Sequence, residues 1–350
     1  MKAAVLLPEG GLEIEERPEP SPGPDQVLVA PRLVGVCGSD LHYYKDGRIG
    51  DWRILQPHVL GHEFAGVVVA VGSNVENVEV GDRIAVEPII PCGDCDACTR
   101  GIYNVCPNIR FTGSPHTDGA LQELVAVPAR GAHRLPPGMP FSLGALVEPT
   151  SIAVHAVRRS GLREGDTVMI VGAGPIGLLT LAVARAYGAG AVYCTDLNQG
   201  RLDLATRLGA TAAINVGGLD HAEILGLIDP LGVDISFEAV GTPGTLETAM
   251  RLVRPGGTVV AVGVNISERI PFNLMLSQSK EATVVPVYLG RDAFPEAVAL
   301  LASGRIDGEL LISHRFPLER AREAMETSLD ANTGAVKVMI RAGADDGGSG

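Results

Sequence analysis

Apolar positions in the first part of the chain come in short runs cut by glycine and proline. They lie at 2–6, 26–30, 64–72, 82–86 and 124–127, with a proline-rich loop at 18–24. Short apolar runs bounded by turn residues predict strands rather than helices, so the N-terminal half is expected to be dominated by β structure, as a barrel or small sheet. Near Val147 the texture changes. Ile152, Ala153, Ala156 and Val157 recur at helical spacing over 151–159, and a continuous apolar run at 166–171 predicts a buried strand. That strand runs into Gly172-Ala173-Gly174-Pro175-Ile176-Gly177, followed by a helix-like segment at 178–187. Further strand-like runs follow at 191–195, 212–216, 233–239, 258–264 and 283–287. Six apolar strands separated by crossovers predict a doubly wound parallel sheet. An amphipathic helix is expected over 294–303, then a strand over 335–340 that returns to the first domain. The polar, glycine-rich tail at 342–350 is expected to be disordered.

Length and composition narrow the class. At 350 residues, with 46% hydrophobic and 20% charged residues, the chain predicts a globular protein of two domains. A net charge of −13 argues against a nucleic-acid partner, whose footprint is a basic face. No run of eighteen apolar residues occurs, and the apolar part of residues 1–5 is too short for a signal peptide, so a cytoplasmic protein without a membrane partner is expected.

Candidate chemistry gathers in three places. Residues 37–63 carry Cys37, Asp40, His42, His62 and Glu63, which include the thiolate, imidazole and carboxylate ligands that zinc favours. Singly, each has a plainer reading: Cys37 a buried thiol, Ser39 a turn residue, Asp40 a helix N-cap, His42 a surface histidine, Glu63 a buried carboxylate. Four of the six cysteines, Cys92, Cys95, Cys98 and Cys106, crowd into one lobe at two-residue gaps with a longer last step. Four thiolates closing a tetrahedron predict a structural zinc site. An iron–sulfur cluster is the rival, but its bacterial pattern places the fourth cysteine after three residues, and here seven intervene. The third place is the glycine turn at 172–177. Set between a strand and a helix, it predicts a dinucleotide site, with the pyrophosphate at the helix N-terminus. Asp196 ends the next strand at the distance of a ribose-binding acid, which favours NAD over NADP; Arg201 is read as stacking on adenine.

With these motifs assembled, Gly61-His62-Glu63-x2-Gly66-x5-Gly72-x2-Val75 resembles the zinc signature of the medium-chain, zinc-dependent alcohol dehydrogenases. The cysteine lobe and the Rossmann turn follow in that family's order over nearly the whole chain. Cys37-Gly38-Ser39-Asp40-Leu41-His42-Tyr43-Tyr44, Gly47-Arg48-Ile49-Gly50, Ala145-Leu146-Val147-Glu148-Pro149 and His314-Arg315-Phe316-Pro317-Leu318 are similar to the polyol (sorbitol and xylitol) dehydrogenases within it.

The resemblance implies an α/β protein: a GroES-like β-barrel catalytic domain at 1–149 with the zinc lobe at about 90–108, a doubly wound Rossmann NAD-binding domain at 150–286, and a return to the catalytic domain at 287–341. It implies two zinc ions per chain. Cys37, His62 and Glu63 would hold the catalytic one, with Glu148 binding or approaching it, and the four lobe cysteines the structural one. Asp40 would orient His62. Ser39 would pass the alcohol proton through the cofactor ribose to His42. Gly172, Gly174, Pro175, Ile176, Gly177, Asp196, Arg201, Gly263, Val264 and Tyr288 would contact NAD, and Tyr43 and Leu289 the substrate. The implied reaction is reversible hydride transfer from a polyol, diol or related secondary alcohol to NAD, giving the ketone, in a homo-oligomer with a tetramer favoured over a dimer. One departure stands out. Polyol dehydrogenases carry an Arg-Tyr pair where this chain has Leu289 and Gly290, with Arg291 one step on. Loss of a hydroxyl-reading pair shifts the expectation toward a shorter diol or a broad secondary-alcohol preference.

Overall fold

The computed structural model describes residues 1–264 and 269–343. The expectation for the tail therefore falls, from residue 344 on, outside the described residues. Two compact units divide the chain: Met1–Glu148 together with the chain from Ile312 on, and Pro149–Leu311.

The first unit is built on strands. Its main sheet runs in the order Ala132–Arg134, Arg83–Val86, Glu63–Val71, Gln26–Gly35, Lys337–Arg341, Ile312–Pro317, with Val125–Pro128 also pairing to Gln26–Gly35. Leu12–Glu16, Lys2–Leu6 and His58–Val59 form a second sheet. Both sheets turn apolar side chains into one core, among them Val5, Leu6, Val29, Phe64, Val68 and Ile340. The last strand pairs antiparallel with the central one, Met339 opposite Gly35 and Arg341 opposite Leu33. One helix that apolar periodicity does not announce, Gly38–Asp46, starts at Cys37. Its first turn is closed by Asp40, whose carboxylate accepts the Cys37 N–H at 3.0 Å. An acidic side chain reaching back to the cap residue satisfies a donor that a helix start otherwise leaves unpaired.

The second unit is a six-stranded parallel sheet in the order Ala212–Asn215, Ala191–Asp196, Thr167–Val171, Val233–Glu238, Val253–Ala261, Thr283–Pro286. In chain order this is 3-2-1-4-5-6, the doubly wound arrangement whose strand order reverses beside the first strand. This unit runs on to Leu311, beyond the 286 expected for its end. The helix Phe294–Ala302 stays with it because Glu296 is tied to both Tyr187 and Arg158, and Arg305 donates to the Ala186 carbonyl. Among the described residues, no helix is long and apolar enough to cross a membrane.

Candidate functional site

Within the first unit, the helix at 38–46 and the strand beginning at Glu63 converge on one point. Ligand atoms of Cys37, His62 and Glu63 all lie within 4.8 Å of one another. Asp40, fully buried behind them, accepts the Gly61 N–H at 3.3 Å as well as that of Cys37, and its Oδ1 lies 3.5 Å from His62 Nδ1. One carboxylate thus orders the thiol, the glycine turn and the imidazole, and leaves His62 Nε2 as the ligand atom. A ligating histidine held through its other nitrogen by a carboxylate is the usual arrangement around a metal. Burial alone would lower the His62 pKa, yet Asp40 and Cys37 outweigh it and hold it well above its ordinary value. The same negative surroundings would favour a cation in place of that proton. Three protein ligands without a fourth is the donor set of a catalytic zinc, which keeps a position open.

Glu148 is buried beside this group but is not one of the three convergent ligands. Burial, with Glu63 and Asp40 adding to it against His62 and Lys337, pushes its carboxyl up to about 7. Ser39 and His42 lie one turn apart on the helix; His42 Nδ1 is 3.5 Å from Asp46 Oδ2, and its side chain is 35% exposed. Tyr43, expected at the substrate, is buried in the core of the unit.

One member of the group is absent from the sequence reading. Lys337, 2% exposed, places its ammonium 2.9 and 2.6 Å from the two oxygens of Glu63 and donates to the Val36 carbonyl at 3.0 Å. Gly35 stands between the two strands, paired to Glu63 on one side and Met339 on the other. A side chain there would land 2.3 Å from Glu63 Oε2, so the ion pair occupies space that only glycine leaves. Burial works against the Lys337 charge, but Glu63 and Cys37 outweigh it and raise its pKa. The available signal was a lone lysine inside an apolar strand.

The cysteine lobe brings its four thiols together, again within 4.8 Å of one another. Sγ separations are 3.5 Å for Cys92–Cys106, 3.8 Å for Cys95–Cys106 and 3.9 Å for Cys92–Cys98. Tetrahedral zinc with bonds of about 2.3 Å needs sulfurs about 3.8 Å apart. The lobe therefore fits one zinc ion rather than a multi-iron cluster. Burial works against the Cys106 thiolate, but the Cys92 N–H and the neighbouring thiols bring its pKa down to about 7.

In the second unit, Gly172 adopts a φ of +102°, Gly174 caps the helix Pro175–Ala186, and Pro175 opens it. A Cβ on Gly177 would sit 1.8 Å from the Gly172 carbonyl, so that helix can approach the turn only through glycine. Ile176 lies in its first turn. Asp196 accepts the Ala173 N–H at 2.7 Å and the Asn198 N–H at 2.9 Å, which pins its carboxylate against the glycine turn. Arg201 lies in the first turn of the next helix, Gln199–Arg207. Gly263 and Val264 follow the fifth strand in the sheet order, with Val264 exposed. Tyr288 is half-exposed, and Leu289 takes a φ of +54°. At Gly290 a Cβ would meet Ser151 Oγ at 2.7 Å, so a larger residue there would require the Ser151 hydroxyl to turn away. The Arg291 guanidinium lies 3.9 Å from Asp292.

Comparison with known proteins agrees with this architecture. A family model described as alcohol dehydrogenase GroES-like domain matches residues 23–137, and one described as zinc-binding dehydrogenase matches residues 175–303. The chain is 39% identical to a sorbitol dehydrogenase of Bacillus subtilis over 341 residues, 97% of each protein. Among solved structures it is similar to a zinc-binding dehydrogenase of Sinorhizobium meliloti bound to NADP, with a TM-score of 0.90 at 35% identity, covering 97% of this chain and 98% of that one. It is also similar to galactitol-1-phosphate dehydrogenase of Escherichia coli, with a TM-score of 0.90 at 30% identity, covering 97% and 100%.

Proposed function

The chain belongs to the zinc-binding alcohol dehydrogenase family as a polyol/alcohol oxidoreductase, and from that premise we propose that it uses NAD and holds two zinc ions, one catalytic and one structural. The observation that carries the catalytic assignment is the convergence of Cys37, His62 and Glu63 with no fourth protein ligand among the described residues. When bound there, zinc supplies Lewis acidity, lowering the pKa of a ligated alcohol toward neutrality. The chain's own residues do the rest. Cys37, His62 and Glu63 hold the ion, Asp40 fixes the imidazole, and Glu148 lines the site. Ser39 would accept the alcohol proton while passing its own hydroxyl proton on toward His42, which, one helical turn on and partly exposed, would release a proton to water. Cys92, Cys95, Cys98 and Cys106 hold the structural ion.

Asp196 supports NAD. Two backbone donors already fix its carboxylate, and the remaining lone pairs are free for ribose hydroxyls, whereas a 2′-phosphate would meet its charge. Asp196→Ala is expected to raise the KM for NAD roughly 10- to 100-fold, the worth of hydrogen bonds to a charged acceptor, and to narrow the preference over NADP. An unchanged NAD/NADP ratio in steady-state kinetics would remove Asp196 from the ribose.

The replacement of the Arg-Tyr pair by Leu289 and Gly290 supports a shorter diol or secondary alcohol. A second reading, an alcohol carrying an anionic group, has its own support. Arg48 and Arg53 stand directly opposite one another in a two-stranded ribbon, a destabilising placement for like charges. Arg53 and Arg110 line a cavity of about 210 Å³ together with one carboxylate, Asp51, so the two guanidinium groups outnumber the acid there. An NAD-linked screen of 2,3-butanediol, 2-propanol, threitol, xylitol, sorbitol and a phosphorylated hexitol, with and without chelator, separates the readings. Oxidation of small diols that the chelator stops is the expected result. An exclusive preference for sorbitol would contradict both, and a preference for the phosphorylated hexitol would select the second.

A further inference from the structure

At the carboxyl end of the strand Val233–Glu238 sits a carboxylate that neither the metal sites nor the glycine turn uses. Glu238 is 2% exposed and has no cationic partner among the described residues. Its Oε1 alone accepts three donors, the Val240 N–H at 2.8 Å, the Gly241 N–H at 2.7 Å and the Thr245 hydroxyl at 2.8 Å. Its main-chain carbonyl accepts the Val262 and Gly263 N–H groups, each at 2.9 Å. In register, Glu238 lies between Val171 and Ala261, the ends of the two neighbouring strands. One residue therefore joins the loops that follow two adjacent strands and lies in register with the end of a third.

Those loops are packed without slack. A Cβ on Gly263 would lie 2.2 Å from the Gly241 nitrogen, and one on Gly172 would lie 2.4 Å from Val240 Cγ2. Movement at 239–241 would thus be felt both at the glycine turn and at 262–264. In the 3-2-1-4-5-6 order, the first three strands carry the adenosine side of a dinucleotide, and strands 4 to 6 carry the other mononucleotide. Glu238 ends strand 4. A buried carboxylate is costly unless hydrogen bonds satisfy it, so its retention here requires that the clasp be made.

We infer that Glu238 is a positioning residue for the nicotinamide half of the cofactor, holding 239–241 in place by its three-donor clasp. This rests on the NAD reading above. The side chain needs only to accept, so a glutamine, whose amide oxygen can take the same three donors, should preserve the clasp, and an alanine should release it.

The test is calorimetric titration of the full-length, zinc-loaded protein with NADH and with ADP, which lacks the nicotinamide half. Glu238→Ala is expected to weaken NADH binding about 10- to 100-fold while leaving ADP binding within about threefold, and Glu238→Gln to stay within about threefold of wild type for both. Unchanged NADH binding in Glu238→Ala would overturn the inference. So would equal losses for NADH and ADP, which would mark general damage to the fold, or a Glu238→Gln variant as weak as alanine, which would make charge rather than the clasp the cause. Should wild type bind NADPH in place of NADH, the cofactor reading falls, and the same comparison run with NADPH against ADP still decides the clasp.

Discussion

Cys37→Ser is expected to lose one of two zinc ions per chain and to lower alcohol oxidation by at least about 10³-fold. Lewis-acid stabilisation of the developing alkoxide contributes several kcal/mol, and each 1.36 kcal/mol is about tenfold in rate. Serine keeps the size and the helix start, since the Asp40 clasp is made to the backbone N–H rather than to the thiol. The loss should therefore come from the ligand, because an alcohol at neutral pH is a far poorer zinc ligand than a thiolate. Elemental analysis after dialysis gives the stoichiometry. Adding zinc to chelated wild type should restore activity, while the variant should recover little. A Cys37→Ser protein that keeps both ions and near-normal turnover would move the catalytic metal elsewhere.

Much of this site could be read from the chain because its parts are local. Cys92 to Cys106 lie on one short lobe, and a tetrahedron of thiols can be inferred from spacing alone. Gly172 to Gly177 carry their meaning in the strand before them and the helix after them. Asp40 is instructive because its plainer reading fails in detail: the helix N-cap is Cys37, and Asp40 stands three residues on, reaching back to the cap's N–H. The same carboxylate closes the first helical turn and stands against His62 Nδ1, so the structural and the functional role are one contact set.

What the sequence hides are partners made only by the fold. Glu63 and Lys337 are separated by 274 positions and meet because their strands flank Gln26–Gly35. No local pattern encodes that pairing. Glu238 is hidden for a related reason: it reads as a polar position in an apolar strand, and its contacts join two loops that the sequence holds about twenty residues apart. Gly290 shows the converse. The departure at Leu289 and Gly290 is plain in the sequence, but the close approach of Ser151 to Gly290 is visible only in three dimensions.

Lys337→Met should produce the largest stability change. With the lysine gone, Glu63 is left buried at 1% exposure without its counter-charge, and breaking one side of a buried pair costs about 3–5 kcal/mol. In the metal-free protein this corresponds to a fall of roughly 6–20 °C in the unfolding midpoint of the first unit. The methionine fills the same channel, so the loss should come from charge rather than from a cavity. Adding Glu63→Gln to Lys337→Met should recover most of the loss, since no buried carboxylate then remains unpaired. Zinc provides an independent check. Glu63 freed from Lys337 becomes a more available ligand, and one positive charge has left the site, so zinc should stabilise Lys337→Met by more than it stabilises wild type. Thermal unfolding of the single and double variants with and without zinc measures all three quantities. A single variant as stable as wild type, or a double variant no better than the single, would show that the Lys337–Glu63 contact does not govern the charge balance beneath the metal ligands.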